Sequence, residues 1–300
     1  MLLEGLLFKV EILKEKLPYL NVGCGNHYHP DWTNLDFTST GPGVIAHNLL
    51  DGIPFESNLF EVVYHSHVLE HFAIDDAKAF IDECYRVLKQ RGILRIAIPD
   101  LEQIASEYLR LLSRLKLQPN DPILQANYDW IVLELYDQTV RNVSGGNMAK
   151  FLMREMIVNE DYILSRCGHE VKQIIERYRI HSSQHSLNDS QTSRISPLQY
   201  LVQKFKNLGD RVRWLIIKAL LDKDARQTYE SGRFRKMGEI HQWMYDEHSL
   251  KRILLEAGFT DMLIRTAFSS AIPKWTSYEL ETVAGKVRKP DSLFLEARKP

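Results

Sequence analysis

Between Pro18 and Pro99 short apolar runs alternate with turn-forming residues. "YLNVG" is an apolar run stopped by glycine, and "TNLDF", "VIAHNL" and "FEVVYHS" predict three more strands. "DDAKAFIDECYRVLKQRG" predicts a helix: Phe80, Ile81, Cys84, Val87 and Leu88 share one face, Asp75 and Asp76 sit in its first turn, and Gly92 follows its end. "ILRIAIP" predicts a fifth strand closed by Pro99. Strands this continuously apolar belong to a parallel sheet covered on both faces.

Asp100 is placed to cap the next helix, with Gln103 completing a capping box and Leu101, Ile104, Ala105, Tyr108, Leu112 and Leu115 forming the apolar stripe. From there to Met237 the pattern predicts helices and loops without a strand. "PILQANYDWIVLELYDQTVRN" and "NMAKFLMREMIVNEDYIL" read as helices, and the serine-rich "HSSQHSLNDSQTSRISP" reads as a loop. Alternation then resumes with a helix, "DEHSLKRILLEAGF", and two strands, "TDMLIRTAF" and "DSLFLEARK". The expected architecture is a sheet domain built from residues 1–100 and 239–300, with 101–238 as a helical insertion. So long an excursion from one loop is expected to be a lid or substrate-binding element.

Composition narrows the partners. Hydrophobic residues at 44% and charged residues at 26% are globular values, and a net charge of −1 disfavours a dedicated nucleic-acid binder. Between Lys204 and Lys236 ten basic residues face four acidic ones, a local balance of +6, so the stretch at 200–221 is a candidate for peripheral membrane contact or for packing within the insertion. The three cysteines are far apart, which suits a reducing compartment. The opening stretch lacks the marks of a signal peptide and no run is long enough to span a bilayer, so the expected location is cytoplasmic.

Gly23 and Gly25 stand where ligands of open α/β sheets bind, beyond the carboxyl end of the first strand. A nicotinamide fingerprint would need a third glycine, but Tyr28 holds that place, and its acid would come about 20 residues on. Asp36 comes much earlier, and no lysine completes a P-loop. The pattern fits a ribose-bearing ligand without a pyrophosphate: Asp36 for the ribose hydroxyls, Asn48 for a purine edge. The gap between the first two strands leaves room for a turn or two of helix.

Together "LNVGCG", "NLDF", "HNLLDGIPFESNLFEVVYHSHVLEHF", "ECYRVLKQRGILRIAIPDLE" and "LLEAGF" resemble a class I S-adenosylmethionine-dependent methyltransferase. They are most similar to a bacterial branch with a shortened first helix, often found among glycan-assembly functions. The resemblance implies a Rossmann-like α/β fold, with a seven-stranded sheet whose last two strands form an antiparallel hairpin. It implies S-adenosylmethionine as cofactor and S-adenosylhomocysteine as product. Gly23, Cys24 and Gly25 would contact the methionine part and Asp36 the ribose. Phe37 would lie beside the adenine, Asn48 and Leu49 would meet the base, and His65 or Ser66 would lie near the amino-acid end. Asn48 stands where the family often has aspartate. Cys24 also reads as a small buried filler, Asp36 as a turn cap and Phe37 as core.

A sulfonium methyl is already activated, so the protein must align an acceptor and, for a hydroxyl, remove its proton. "HSHVLEHF" places His65, His67, Glu70 and His71 beyond the fourth strand. His71 is the preferred base, although a helix-start histidine bonded to backbone explains it too; His241 and Asp100 are alternatives, Asp100 also being a helix cap. His67, Tyr245 and Arg141 are candidates for holding the acceptor, unless Arg141 simply pairs with Asp137. Trp243 and Met244 read as core. His67 and His71 lie four apart, but the segment lacks a zinc-protease pattern and no metal is expected. The leading function is O-methylation of a saccharide or glycan-related acceptor. A phosphate group, a small natural product, or a non-catalytic cofactor-binding scaffold are the alternatives, and the oligomeric state is open.

Overall fold

The structure, a computed structural model, describes residues 16–185 and 222–300. Five strands open the fold: β1 (Tyr19–Val22), β2 (Thr33–Asp36), β3 (Val44–Ala46), β4 (Phe60–Ser66) and β5 (Leu88–Pro99). After the helical segment come β6 (Thr260–Arg265), a two-stranded ribbon of β7 (Thr282–Val283) and β8 (Lys286–Val287), and β9 (Ser292–Arg298). The main sheet runs β3-β2-β1-β4-β5-β9-β6. Only β9 is antiparallel, inserted between β5 and β6. The expected seven strands with an antiparallel final pair are present, though β6 and β9 are joined by a long excursion that carries the ribbon.

The two faces are covered differently. On one, Leu20, Val63, Leu94, Ile96 and Leu295 pack against α1 (Ile74–Val87) and the later α7 (Glu247–Glu256). On the other, Tyr19, Trp32, Val62 and Tyr64 pack under Ile272, Trp275 and Leu280 from the excursion between β6 and β7. Sequence periodicity missed this cover because the segment is neither helix nor long strand. Arg95 of β5 is wholly buried beneath it, with Trp275 4.2 Å above its guanidinium, and is paired with Glu281 and Glu296.

Two local expectations are corrected. No helix joins β1 to β2. The crossover is shorter than the dozen or so residues such a connection usually takes. It is instead tied down by Asn34, whose Nδ2 donates to His29 O and Trp32 O at 2.9 Å. The helix expected to run to Gly92 ends at Val87, because its last carbonyls accept from Asn58 and Leu59 ahead of β4 (2.9 and 2.8 Å) and Leu88 turns into β5.

Between β5 and α7 the described chain is helical: α2 (Leu101–Leu117), α3 (Pro122–Val140), α4 (Gly146–Leu152), α5 (Glu160–His185) and α6 (Lys223–Arg235). Ile104, Leu111, Leu124 and Ile131 join α2 to α3, while Trp130, Phe151, Ile163 and Ile175 join α3, α4 and α5. Gly168 breaks α5 at φ +66, where a Cβ would come 2.5 Å from Arg288 O. The loop expected from His181 begins no earlier than residue 186, and its remainder lies outside the described residues, as does the 200–221 stretch considered for membrane contact. Among the described residues no helix is long and apolar enough to cross a membrane.

Candidate functional site

The glycine turn follows β1 directly. Gly23 N and Cys24 N both donate to Leu35 O (2.8 and 3.1 Å), which folds the turn onto β2. Gly25 N then donates to Asp36 Oδ2 at 2.7 Å, and the Thr40 hydroxyl donates to Gly25 O. The two glycines serve different ends. At Gly23 (φ +66) a Cβ would strike Val68 at 2.4 Å, so this position is fixed by packing against the end of β4. At Gly25 (φ +55) a Cβ would meet nothing within 4 Å, so this position borders open space. The Asp36 carboxylate, which takes the Gly25 amide, stands beside this position.

Cys24 is buried, and burial pushes its thiol up to about 12, so it stays protonated as a packing residue. Phe37 is 70% exposed beside Asp36, which removes the reading of it as core. Asn48 caps the short turn Leu49–Asp51: its Oδ1 accepts from Leu50 N at 3.3 Å and its Nδ2 donates to Asp51 Oδ2 at 3.2 Å. Leu49 packs partly into the sheet core. Ser66 lines a small cavity with Arg288, Lys289 and Ser292. His65 is wholly buried edge-on to Phe80, with neither ring nitrogen partnered among the described residues, and desolvation lowers its pKa to about 3.

Beyond β4 the chain turns sharply at His67, a non-glycine residue at φ +55. Leu69–His71 forms one short turn, and the irregular segment 240–243 closes over it. Gln242 N and Trp243 N donate to Glu70 O (2.7 and 3.2 Å), and Gln242 Nε2 donates to His71 O at 2.8 Å. His71 Nδ1 meets Ile240 O at 3.0 Å, and the His71 and His241 rings stand edge-to-face with centroids 4.9 Å apart. Glu70 lies beside them, 1% exposed: its Oε1 is 3.3 Å from His67 Nδ1 and 4.0 Å from His241 Nε2. Burial pushes the Glu70 carboxyl up to about 8 and holds His67, His71 and His241 below the usual imidazole range.

Asp100 caps α2, its Oδ1 accepting from Glu102 N and Gln103 N (3.0 and 3.2 Å), and burial raises its pKa. The reciprocal half of the expected capping box is not made: Gln103 Nε2 reaches Pro290 O instead. Tyr245 is buried alongside, its carbonyl accepting from Leu101 N at 2.9 Å, and burial lifts its phenol to about 12. Arg141 does not pair with Asp137. It binds Glu239 (3.2 Å) and its carbonyl (2.8 Å), while Asp137 takes the amides of Asn147 and Met148. Trp243, expected in the core, is 43% exposed, whereas Met244 packs partly against α2 and α3.

The structure thus assembles two groups. Gly23, Cys24, Gly25 and Asp36 form one, together with Thr40, which no sequence pattern had marked. His67, Glu70, His71 and His241 form the other. Val68, packed on Gly23, is the direct link between them. The sequence places Glu70 beyond the fourth strand without a role, and nothing local in it shows that His241 returns to it.

Residues 32–96 match the family described as "Methyltransferase domain". No curated protein matches the chain. Among solved structures, a SAM-dependent methyltransferase of Thermotoga maritima is 10% identical, with 97% of this chain and 86% of that one covered and a TM-score of 0.36. A SAM-dependent methyltransferase of Archaeoglobus fulgidus is 11% identical over 99% and 92%, with a TM-score of 0.35. The YcgJ protein of Bacillus subtilis is 19% identical with a TM-score of 0.25; the match covers 36% of this chain and spans 57% of that protein's length. Likenesses this distant say nothing of substrate or mechanism.

Proposed function

We propose that this chain, with a methyltransferase domain over residues 32–96, is an S-adenosylmethionine-dependent O-methyltransferase acting on a saccharide or related polar acceptor. S-adenosylmethionine as cofactor is supported by that domain and by the sheet order with its single antiparallel strand. The observation that carries the reading is the Gly25–Asp36 bond of 2.7 Å, which closes a compact turn beside open space. No helix N-terminus follows the turn, so the arrangement lacks the dipole that a pyrophosphate uses.

When bound, the cofactor supplies an activated methyl group. The chain's own work is to hold it and the acceptor in line and to take the acceptor's proton. Gly23, Cys24 and Gly25 hold the methionine part, Asp36 the ribose, and Phe37, Asn48 and Leu49 the base. The proton goes to the histidine group at the end of β4. With Nδ1–H of His71 donating to Ile240 O, the lone pair of that ring sits on Nε2, which is the arrangement a general base needs. The helical segment 101–238 supplies the acceptor side. Support for a saccharide comes from sequence resemblance, and the acceptor class is the part an experiment must decide.

Calorimetric titration with S-adenosylhomocysteine tests the cofactor half. Asp36→Ala removes a charged acceptor from the turn, so binding should weaken about 10- to 100-fold, the worth of one hydrogen bond to a charged group. Wild-type affinity in that variant would overturn the assignment. A labelled-methyl screen against sugars, glycolipids, phosphorylated metabolites and small natural products tests the rest, and transfer to the last two classes alone would displace the saccharide reading.

A further inference from the structure

Glu70, His71 and His241 each offer one ligand atom, and the three atoms lie within 4.8 Å of one another. Both carboxylate oxygens of Glu70 are buried without a hydrogen-bond partner among the described residues. A buried polar group left without a hydrogen bond costs roughly 1–3 kcal/mol even when neutral. A carboxyl group left without partners beside imidazoles therefore calls for an occupant.

We propose that Glu70, His71 and His241 form a binding site for a divalent transition-metal cation of the zinc type. The arrangement of the rings supports it. Metal-bound histidines commonly give their second N–H to a carbonyl or hydroxyl, which fixes the tautomer. His71 Nδ1 meets Ile240 O at 3.0 Å, leaving Nε2 free. His67 Nε2 meets Ser292 Oγ at 2.9 Å, leaving Nδ1 turned to Glu70 at 3.3 Å, out of line for a hydrogen bond.

Ligand atoms around a tetrahedral zinc stand about 3.4 Å apart, given bonds of about 2.1 Å. The separation of 4.0 Å between Glu70 Oε1 and His241 Nε2 needs only small side-chain rotations to close. A donor set of imidazoles and one carboxylate suits zinc and its first-row neighbours better than magnesium, which prefers oxygen. The nearby cations have carboxylate partners of their own: Arg141 pairs with Glu239 at 3.2 Å, and Lys289 and Arg288 share Glu170. His67 and His71 are only partly buried and give the ion a way in.

The inference deepens the methyltransferase reading and, in its catalytic part, rests on it. A cation at the end of β4 would hold an acceptor hydroxyl and lower its pKa. The imidazoles would then serve the ion, and the hydroxyl proton would leave from the cation-bound oxygen to solvent.

The test is calorimetric titration of the chelator-treated full chain with zinc chloride, repeated with cobalt(II) and followed by visible absorption. One tight equivalent of zinc is expected, with cobalt bands typical of nitrogen ligation. Glu70→Gln and His241→Ala, with folding checked by circular dichroism, should each weaken zinc binding at least 100-fold and leave S-adenosylhomocysteine binding within threefold. Absence of a stoichiometric equivalent in wild type, or zinc affinity unchanged in both variants, would overturn the proposal. If a variant fails to fold, the wild-type cobalt spectrum decides. Loss of S-adenosylhomocysteine binding in wild type would sink the methyltransferase reading and leave the metal result standing.

Discussion

At Gly23 and Gly25 two left-handed residues stand two positions apart under opposite constraints. Alanine at either must adopt a conformation that costs about 1–2 kcal/mol. At Gly23 the new methyl also collides with Val68, so Gly23→Ala should destabilise the fold by about 3 kcal/mol in chemical denaturation. Gly25→Ala should cost about 1–2 kcal/mol of stability but lose cofactor binding out of proportion, because its methyl enters the open space. Equal stability losses in the two variants would contradict this division. His65 gives a pH test. Its folded pKa, lowered to about 3, lies below the ordinary value of 6.5, so the unfolded chain binds the extra proton. The stability this contributes is present above pH 6.5 and is lost as pH falls towards 3. His65→Leu should flatten the acid limb of a stability–pH curve by up to about 1.4 kcal/mol per pH unit. An unchanged slope would show that His65 is solvated in the native state. The glycines and Asp36 were legible in sequence because strand periodicity and turn chemistry are local. Glu70 was not, because its partner ring arrives from a segment whose contact with His71 spans 169 residues.

At the scale of elements, the strands were readable from their apolar runs and most helices from their spacing, but the stretch 147–164, read as one helix, is interrupted at 153–159 between α4 and α5. The end of α1 is set by Asn58 and Leu59 taking its last carbonyls, a tertiary event that no propensity encodes. The aromatic cover over β1 and β4 has no period to read; it is an irregular chain pinned by Arg95, Glu281 and Glu296. Removing the cation from such a group strands two buried carboxylates. Arg95→Leu should therefore cost about 3–5 kcal/mol in urea denaturation, more than a leucine's packing restores. A loss below about 1 kcal/mol, the size of an exposed pair, would show that water reaches the group.

For the molecule as a whole, ligand linkage offers the broadest check. A hundredfold excess of S-adenosylhomocysteine over its Kd should stabilise the chain by about 2.7 kcal/mol and raise its Tm by several degrees. No shift at any concentration would remove the cofactor from the account. The hydrogen bonds that run from residues 240–243 back to Glu70 and His71 carry one more consequence, for the order of assembly. Such contacts are among the slowest to form, since a long loop must close before they are rewarded. A nascent chain emerging from the ribosome can shape the glycine turn once residues up to about 100 are out. The histidine group must wait until residues 240–243 follow, so a protein arrested before residue 240 would be half-built in a specific way: its glycine turn in place and its histidine group incomplete.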